Sequence, residues 1–471
     1  MATALQASNY HPERAIDEIA DFITDPVRPA DFPKHILRFR NDRAAASVGL
    51  DELDDLQWVA HFGRFEPLPD AQPEPLALRY HGHQFRTYNP DLGDGRGFLF
   101  AQLRESDEAG GRLLDLGTKG SGLTPYSRTA DGRLTLKGGV REILATEMLE
   151  ALGVTTSRSF SLIETGESLV RGDEPSPTRS AVLVRLSHGH IRIGSFQRLA
   201  WLGETDHIAR LTDYCLAHLL DQVPGPVPAL TLLDTVVARA ADLAASYMVA
   251  GFVHGVLNSD NIAITAESFD YGPWRFTPRW QPGFTAAYFD QTGLYCFARQ
   301  AEAIHWNLAQ LAQSLTSLAE TDALIESLRR YPALYEARLV ARFLWRLGLD
   351  APDAGTARAA VVAAIEALMD SEVLIDRFFF DWRRGERDGP LYRGERWDKA
   401  RALMAPLAPL PGALDHAYWR GPAPCSMHIE EVEAIWSAIA DRDDWEPLAE
   451  KVAMVRAMGE AHGRAPPAGA S

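Results

Sequence analysis

The apolar residues change period along the chain, and each period predicts a different element. Phe98-Leu99-Phe100-Ala101-Gln102-Leu103 and Leu113-Leu114-Asp115-Leu116-Gly117-Thr118-Lys119 are short apolar runs that predict two strands, with a turn at Ala109-Gly110-Gly111 between them. After Leu136 the spacing becomes helical, with Val140, Ile143, Leu144, Met148 and Leu152 near one face and Gly153 placed as the C′ cap. Ser159–Glu164 and Ala181–Leu186 return to strand-like runs. That order describes a small α+β lobe over residues 76–205. From about Thr205 the pattern is mostly helical, over 206–420. Val236, Val237, Ala240, Leu243, Ala244, Tyr247 and Met248 share an apolar face ending at Gly251, and further helices are expected over Ile304–Leu318 and Ala357–Met369. Residues 1–75 are charged and proline-punctuated, an expected N-terminal extension with one or two short helices. Residues 421–471 form a C-terminal helical segment and an Ala/Pro/Gly tail.

One polar stretch stands apart from this alternation. His254-Gly255-Val256-Leu257-Asn258-Ser259-Asp260-Asn261 follows the longest apolar helix, and Asp270-Tyr271-Gly272 comes soon after. Ile262-Ala263-Ile264 between them reads as a short strand, so the polar groups are expected at the two ends of a β-hairpin. Two Asp and two Asn beside apolar segments supply the oxygen ligands that Mg²⁺ takes together with substrate phosphates. The competing reading is an Asx-rich turn between a helix and a strand.

Composition narrows the class. The 471 residues exceed one small core, and 46% hydrophobic with 24% charged residues describes an ordinary globular protein. Lys and Arg number 47 against 64 Asp and Glu, a net charge of −17, which disfavours nucleic acid or an anionic membrane as the main partner. Cys215, Cys296 and Cys425 are widely spaced and form no CxxC, which points to a reducing cytosol. Met1–Arg14 has neither a basic nor an apolar segment of a secretory signal, and Leu243–Ser259 reads as a core helix running into a loop, not as a membrane span.

Lys119 ends a strand and Glu142 lies in the helix that follows. In kinase-like folds a strand lysine binds nucleotide phosphates and a helix glutamate orients it. Taken singly, both fit solvated surface residues. Gly93-Asp94-Gly95-Arg96-Gly97 upstream allows backbone amides to approach a polyphosphate, although such a run is more often a tight hairpin. Arg96, Arg185 and Arg192 are candidates for phosphate contacts, because guanidinium groups grip phosphate oxygens bidentately. No GxxxxGK[ST] or G-x-S-x-G motif occurs. The His-Gly-His triplets at 81–83 and 188–190 lack the companion ligands of a zinc site and read as turn or packing residues, and His254 as a hydrogen-bonded structural residue. Val256 occupies the position where a kinase catalytic loop carries its Asp base. Asp260, beside the candidate metal ligand Asn261, is the nearby carboxylate able to replace it.

The combination resembles the selenoprotein O (YdiU) family of pseudokinase-fold protein adenylyltransferases. The resemblance is carried by GHQF (Gly82–Phe85), LGDGRG (Leu92–Gly97), TKGSGLTPYSR (Thr118–Arg128), DGR (Asp131–Arg133) and VREIL (Val140–Leu144). It continues through HGVLNSDN (His254–Asn261), DYGPW (Asp270–Trp274) and WNLAQLAQSL (Trp306–Leu315). It implies a protein-kinase-like bilobal fold that binds ATP inverted, so that AMP passes to Ser, Thr or Tyr hydroxyls of proteins, the enzyme itself included, and pyrophosphate leaves. Lys119 and Glu142 would then pair at the phosphates. Asn261 and Asp270 would hold Mg²⁺ or Mn²⁺, with Asp270 also facing the nucleotide, and Asp260 would be the base. Gly93, Gly95, Arg96, Asp131, Gly132, Arg185 and Arg192 would line the nucleotide pocket. UTP in place of ATP, phosphate transfer and a silent nucleotide-binding pseudokinase are the alternatives.

Two departures limit the transfer. Many members carry a cysteine or selenocysteine in a redox-linked tail, whereas Pro466-Pro467-Ala468-Gly469-Ala470-Ser471 has none. Relatives also often show an Arg-Asn-His run before an acidic helix, and here Ser426-Met427-His428 keeps only its histidine.

Overall fold

The computed structural model describes residues 9–105, 111–172 and 174–466. The turn expected at Ala109-Gly110 and the tail from residue 467 lie outside them. Strands β1 (Pro12–Glu13), β2 (Thr24–Pro26), β3 (Ile36–Arg40) and β4 (Leu76–Leu78) precede a small hairpin of β5 (Gly82–Gln84) and β6 (Thr87–Asn89). Then come β7 (Leu99–Arg104), β8 (Leu113–Lys119), β9 (Leu134–Thr135), β10 (Arg158–Leu169) and β11 (Thr178–Ser187). A nine-stranded antiparallel sheet runs β2-β4-β7-β8-β11-β10-β3, with β1 also on β7 and β9 on β11. The first 75 residues therefore supply both outer strands of this path.

The period of two along β8 sorts the sheet's faces. Leu114 and Leu116 join Trp58, Phe62, Phe65, Phe100, Phe160, Val182 and Val184 in an aromatic-rich core covered by the N-terminal segment. Gly117 and Lys119 face the other way, toward the second lobe. β11 is in register with them, Leu183 opposite Lys119 and Arg185 opposite Gly117, so Arg185 emerges beside Lys119.

The Leu136–Ala151 helix packs on that same face. The Thr135 side chain caps it by accepting from the Gly138 N–H, and Gly153 in the left-handed region follows its end. Val140, Ile143, Leu144 and Met148 are fully buried, each contributing roughly 1.5–3 kcal/mol by the burial of its side chain. The C-terminal Glu446–His462 helix braces it from behind. Arg456 Nε reaches Glu147 Oε2 at 2.8 Å, and a Cβ on Gly459 would come 3.0 Å from the Ala151 backbone.

The second lobe is helical, as its pattern predicts. The Pro228–Ala250 helix is its axis, nearly all apolar positions buried, and it ends at Gly251 with φ 69°. Gln300–Ser314 and Tyr331–Leu347 pack against it. The buried ion pair Arg342–Asp242 ties the last of these to the axis. The whole is an α+β, protein-kinase-like bilobal fold. Among the described residues no helix is long and apolar enough to cross a membrane.

One expected element does not form. Ile262-Ala263-Ile264 makes no strand and no hairpin joins Asn261 to Asp270. Instead the Ile193 N–H donates to the Ile262 carbonyl at 3.0 Å and the Ile264 N–H to the Ile191 carbonyl at 2.9 Å. The segment's backbone is thus satisfied by the interlobe linker, and only a single bridge, Arg192 with Ala263, results.

Candidate active site

Between the lobes lies a cavity of about 280 Å³ whose wall includes Gly93, Gly95, Arg96, Lys119, Arg185, Arg192, Asp260 and Asp270. Eight positions singled out from the sequence thus converge from the glycine segment, β8, β11, the interlobe linker and the polar stretch. Lys119 is nearly buried and sits between two carboxylates. It forms a short ion pair with Glu142, from the Leu136–Ala151 helix, and its Nζ lies 2.8 Å from Asp270 Oδ1. Arg185 Nη1 approaches the same Asp270 oxygen at 3.5 Å. Gly117, between Leu116 and Thr118 on β8, leaves room for the His190 ring, since a Cβ there would lie 2.1 Å from His190 Nε2.

Glu142 is fully buried and pairs with Lys119, its Oε2 having no hydrogen-bond partner among the described residues. Replacing Lys119 by Met is therefore expected to cost about 3–5 kcal/mol, the penalty for stranding a buried charge. Chemical denaturation should show that loss, and adding Glu142→Gln should restore stability without restoring activity. Equal stability of Lys119→Met and the unaltered protein would show that the pair carries no such load.

Arg192 is built in more rigidly. Its Nη1 donates to the Asp260 carbonyl at 2.9 Å, its Nη2 to Asp94 Oδ1 at 3.1 Å, and its guanidinium lies over Tyr80 (4.4 Å) and Phe269 (4.8 Å). Asp94 in turn accepts the Leu78 N–H at 3.0 Å. The glycines serve close packing. A Cβ on Gly93 would lie 2.3 Å from the Tyr126 ring and one on Gly97 2.2 Å from the Thr118 carbonyl. Neither has a positive φ, so it is contact, not backbone conformation, that excludes a side chain.

The two aspartates are driven in opposite directions. Burial pushes the Asp260 carboxyl up to about 6 against the opposing pull of Arg192, and its Oδ1 finds no partner among the described residues. Burial acts the same way on Asp270, but Lys119, Arg185, Arg192 and Arg96 outweigh it and hold that carboxyl well below the usual range. Asp270 also adopts φ 60°, a left-handed conformation that Asp tolerates better than most residues.

Besides Glu142, which reaches the site through Lys119, three candidates stand off the cavity wall. Asn261 follows Asp260 in the 3₁₀ turn Ser259–Asn261, and its Nδ2 donates to the Val256 carbonyl at 2.9 Å, which leaves Oδ1 as the acceptor end of the amide. Asp131 is bound to Arg171 (2.8 Å) and caps the Arg133 N–H, and the Gly132 carbonyl accepts the Gly122 N–H at 3.1 Å. These two shape the loop that brings Tyr126, Ser127, Arg128 and Ala130 to the wall. The histidines are engaged in hydrogen bonds. His254 Nε2 contacts the Phe269 carbonyl, His188 Nδ1 the Leu113 carbonyl and His190 Nδ1 Asp115.

Sequence reasoning passed over Tyr80, Gln84, Asp94 and Arg128 on the wall. Asp94 lies inside the glycine segment and Gln84 and Arg128 inside quoted motifs, so a signal was present. Their roles depend on contacts that sequence spacing does not reveal. Arg96, Lys119, Arg128, Arg185 and Arg192 give the wall five cationic side chains against Asp94, Asp260 and Asp270. In a chain of net charge −17 this local excess suits a polyphosphate.

The profile described as Protein adenylyltransferase SelO matches residues 5–392. The chain belongs to the SelO family. A protein nucleotidyltransferase YdiU of Synechocystis sp. is 42% identical over 467 residues, covering 93% of this chain and 96% of its own. One from Gloeobacter violaceus is 42% identical over 475 residues, 94% of each chain. A third, from Azotobacter vinelandii, is 36% identical over 364 residues, 77% of this chain and 73% of its own. The resemblance read from the motifs is borne out, and the enzyme class is that of the SelO family, nucleotidyl transfer.

Proposed function

We propose that this SelO family member transfers AMP from ATP to Ser, Thr or Tyr hydroxyls of proteins and releases pyrophosphate. The observation that carries the reading is the convergence of Asp260 and Asp270 with five cationic side chains on one cavity wall, where the two carboxyls are driven in opposite directions. Environments that push two carboxyls apart mark the proton acceptor and the permanent anion. Asp260, poised near neutrality, takes the acceptor's proton as general base. Val256 occupies the usual position of that base and has nothing to offer it. Lys119, fixed by Glu142, and Arg185 and Arg192 neutralise the charge that grows on the departing pyrophosphate.

Asp270 and Asn261 Oδ1 would hold a divalent cation. All the donors are hard oxygens, and Asp270 stays ionised, which suits Mg²⁺ or Mn²⁺. Among the described residues no group of three or more His, Cys, Asp and Glu forms a complete cage. The phosphates would therefore supply the remaining ligands, as Mg²⁺ nucleotide sites commonly require. Such an ion, when bound, supplies charge neutralisation at the phosphates.

Intact-mass spectrometry of the protein and of casein after incubation with ATP and Mg²⁺ tests the reading. A gain of AMP is expected. A gain of phosphate would make the enzyme a phosphotransferase, and a preferred gain of UMP when UTP is also present would replace the nucleotide.

A further inference from the structure

Strand β5 has two faces, and only one of them meets the interlobe cavity. Gly82 packs against the proposed base, where a Cβ on it would lie 3.1 Å from Asp260 Cβ, and Gln84 lines the cavity wall. His83 between them points the other way, as the strand's period of two requires, and stands opposite Tyr88 of β6. On that far side lies a groove of about 430 Å³, walled by the hairpin and by the Ile193–Leu202 and Gln300–Ser314 helices. Two of the motifs, GHQF and WNLAQLAQSL, meet there, one bringing His83 and the other Gln310 and Gln313. None of these three side chains lines the nucleotide cavity.

The groove is polar, yet among the described residues its lining holds no Asp, Glu, Lys or Arg, in a chain in which 24% of residues are charged. The amides of Gln310 and Gln313 and several hydroxyls supply neutral donors and acceptors. Burial lowers the His83 ring below its usual value, so it too is uncharged at neutral pH. Trp201 stands at the mouth, 64% exposed, with its ring stacked on Tyr88 at 5.1 Å between centroids. An exposed Trp held in place by a second ring is an anchor for a partner's apolar group. A wall of this kind gives no counter-ion to a phosphate or a metal. It suits main-chain amides and uncharged side chains.

We propose that this groove receives an uncharged, extended segment of the acceptor protein, Gln310 and Gln313 pairing with its main chain and Trp201 with an apolar side chain. The inference rests on the adenylyl-transfer reading above and names what selects the acceptor. A ring of hydrogen bonds joins the groove to the chemistry. Ser259 Oγ donates to Gln197 Oε1 at 2.5 Å, Gln197 Nε2 lies 2.7 Å from His83 Nδ1, and the His83 N–H donates to Ser259 Oγ at 2.7 Å. Ser259 directly precedes Asp260, and both His83 and Gln197 line the groove. A neutral saccharide fits the same wall chemically, but this link to the residue before the proposed base favours the chain that carries the acceptor hydroxyl. Only the hairpin stands between groove and Asp260, a layer about 10 Å thick that an extended chain crosses in about three to five residues. The docked segment therefore lies that far from the modified hydroxyl. Charged residues at that distance are disfavoured, because they lose water without gaining a partner.

Trp201 does not line the nucleotide cavity, so Trp201→Ala tests the groove alone. With α-labelled ATP and Mg²⁺, the variant is expected to raise the KM for dephosphorylated casein roughly fivefold to thirtyfold. Its kcat and ATP affinity should stay within about twofold and its melting temperature should hold, and Trp201→Phe should recover most of the loss. Gln313→Glu gives the groove a charge. Mass spectrometry of labelled casein should then show new sites with a lysine about three to five residues from the modified hydroxyl. An unaltered casein KM in folded Trp201→Ala would overturn the inference, and so would labelling by the unaltered enzyme of sites with charged residues at that distance on both sides. Binding of maltoheptaose that Trp201→Ala abolishes, with casein labelling unchanged, would make the groove a saccharide site instead. Failure of the unaltered protein to transfer label at all would overturn the adenylyl-transfer reading and this docking site with it.

Discussion

An Asp270→Asn variant is expected to lose roughly a hundredfold to a thousandfold in transfer rate while remaining folded, the scale seen when a transition-state charge stabiliser is removed. Asn keeps the shape and tolerates the left-handed backbone at φ 60°, so the change removes charge and little else. That charge stands between Lys119 at 2.8 Å and Arg185 at 3.5 Å and is the ionised carboxylate proposed for the cation. Binding of metal-free ATP should not weaken and should tighten, because one of three acidic groups leaves a wall with five cations. Calorimetry without and then with Mg²⁺ separates the two effects. Stability has its own sign. Because the folded-state value lies below the unfolded one, ionised Asp270 stabilises the fold above about pH 4, and that contribution is lost as pH falls through the folded value. The variant should therefore be less stable at neutral pH, with a gap that narrows in acid. Transfer within about tenfold of normal would remove Asp270 from the chemistry.

The chain's periodicity discloses its architecture more fully than its site. β8 spans the predicted Leu113–Lys119, and the Leu136–Ala151 helix carries Val140, Ile143, Leu144 and Met148 inward with Leu152 buried at its C-cap, because local spacing and a glycine stop suffice for them. The expected hairpin after Asn261 fails because its partner, the linker at 191–193, is distant in sequence and offers no local signal. The same reason hides the N-terminal strands. β3 is an Arg-alternating run, Ile36-Leu37-Arg38-Phe39-Arg40, whose place in the sheet is set by β10 more than a hundred residues away. Lys119, Glu142, Arg185, Arg192, Asp260 and Asp270 were legible because residue type and chain order suggest a kinase-like site. The opposite electrostatics of the two aspartates were not, since burial and the count of neighbouring cations are properties of the assembled cavity.

Asp260→Asn is expected to abolish most activity and make the ligand-free protein more stable. Loss of a general base costs about 10²–10⁴ in rate. The stability change follows from the same burial that raises the carboxyl of the proposed base. Its folded-state value of about 6 lies above the ordinary 3.8, so the folded protein favours the protonated carboxyl. Above pH 6 the ionised, buried group opposes folding by at most roughly 3 kcal/mol, at 1.36 kcal/mol per pKa unit. That cost shrinks as pH falls from 6 to 3.8 and vanishes below. Asn has no charge to bury and should raise the melting temperature at pH 7.5, with a smaller advantage at pH 5 and none below pH 3.8. Transfer by the unaltered enzyme should run in the opposite sense, falling as pH drops through about 6, where the proposed base takes up its proton. Scanning calorimetry across this range, beside a pH–rate profile, joins the two measurements. A variant that loses activity without gaining stability at neutral pH would show that Asp260 is not destabilised by its burial, and the argument for its being poised near neutrality would fail with it.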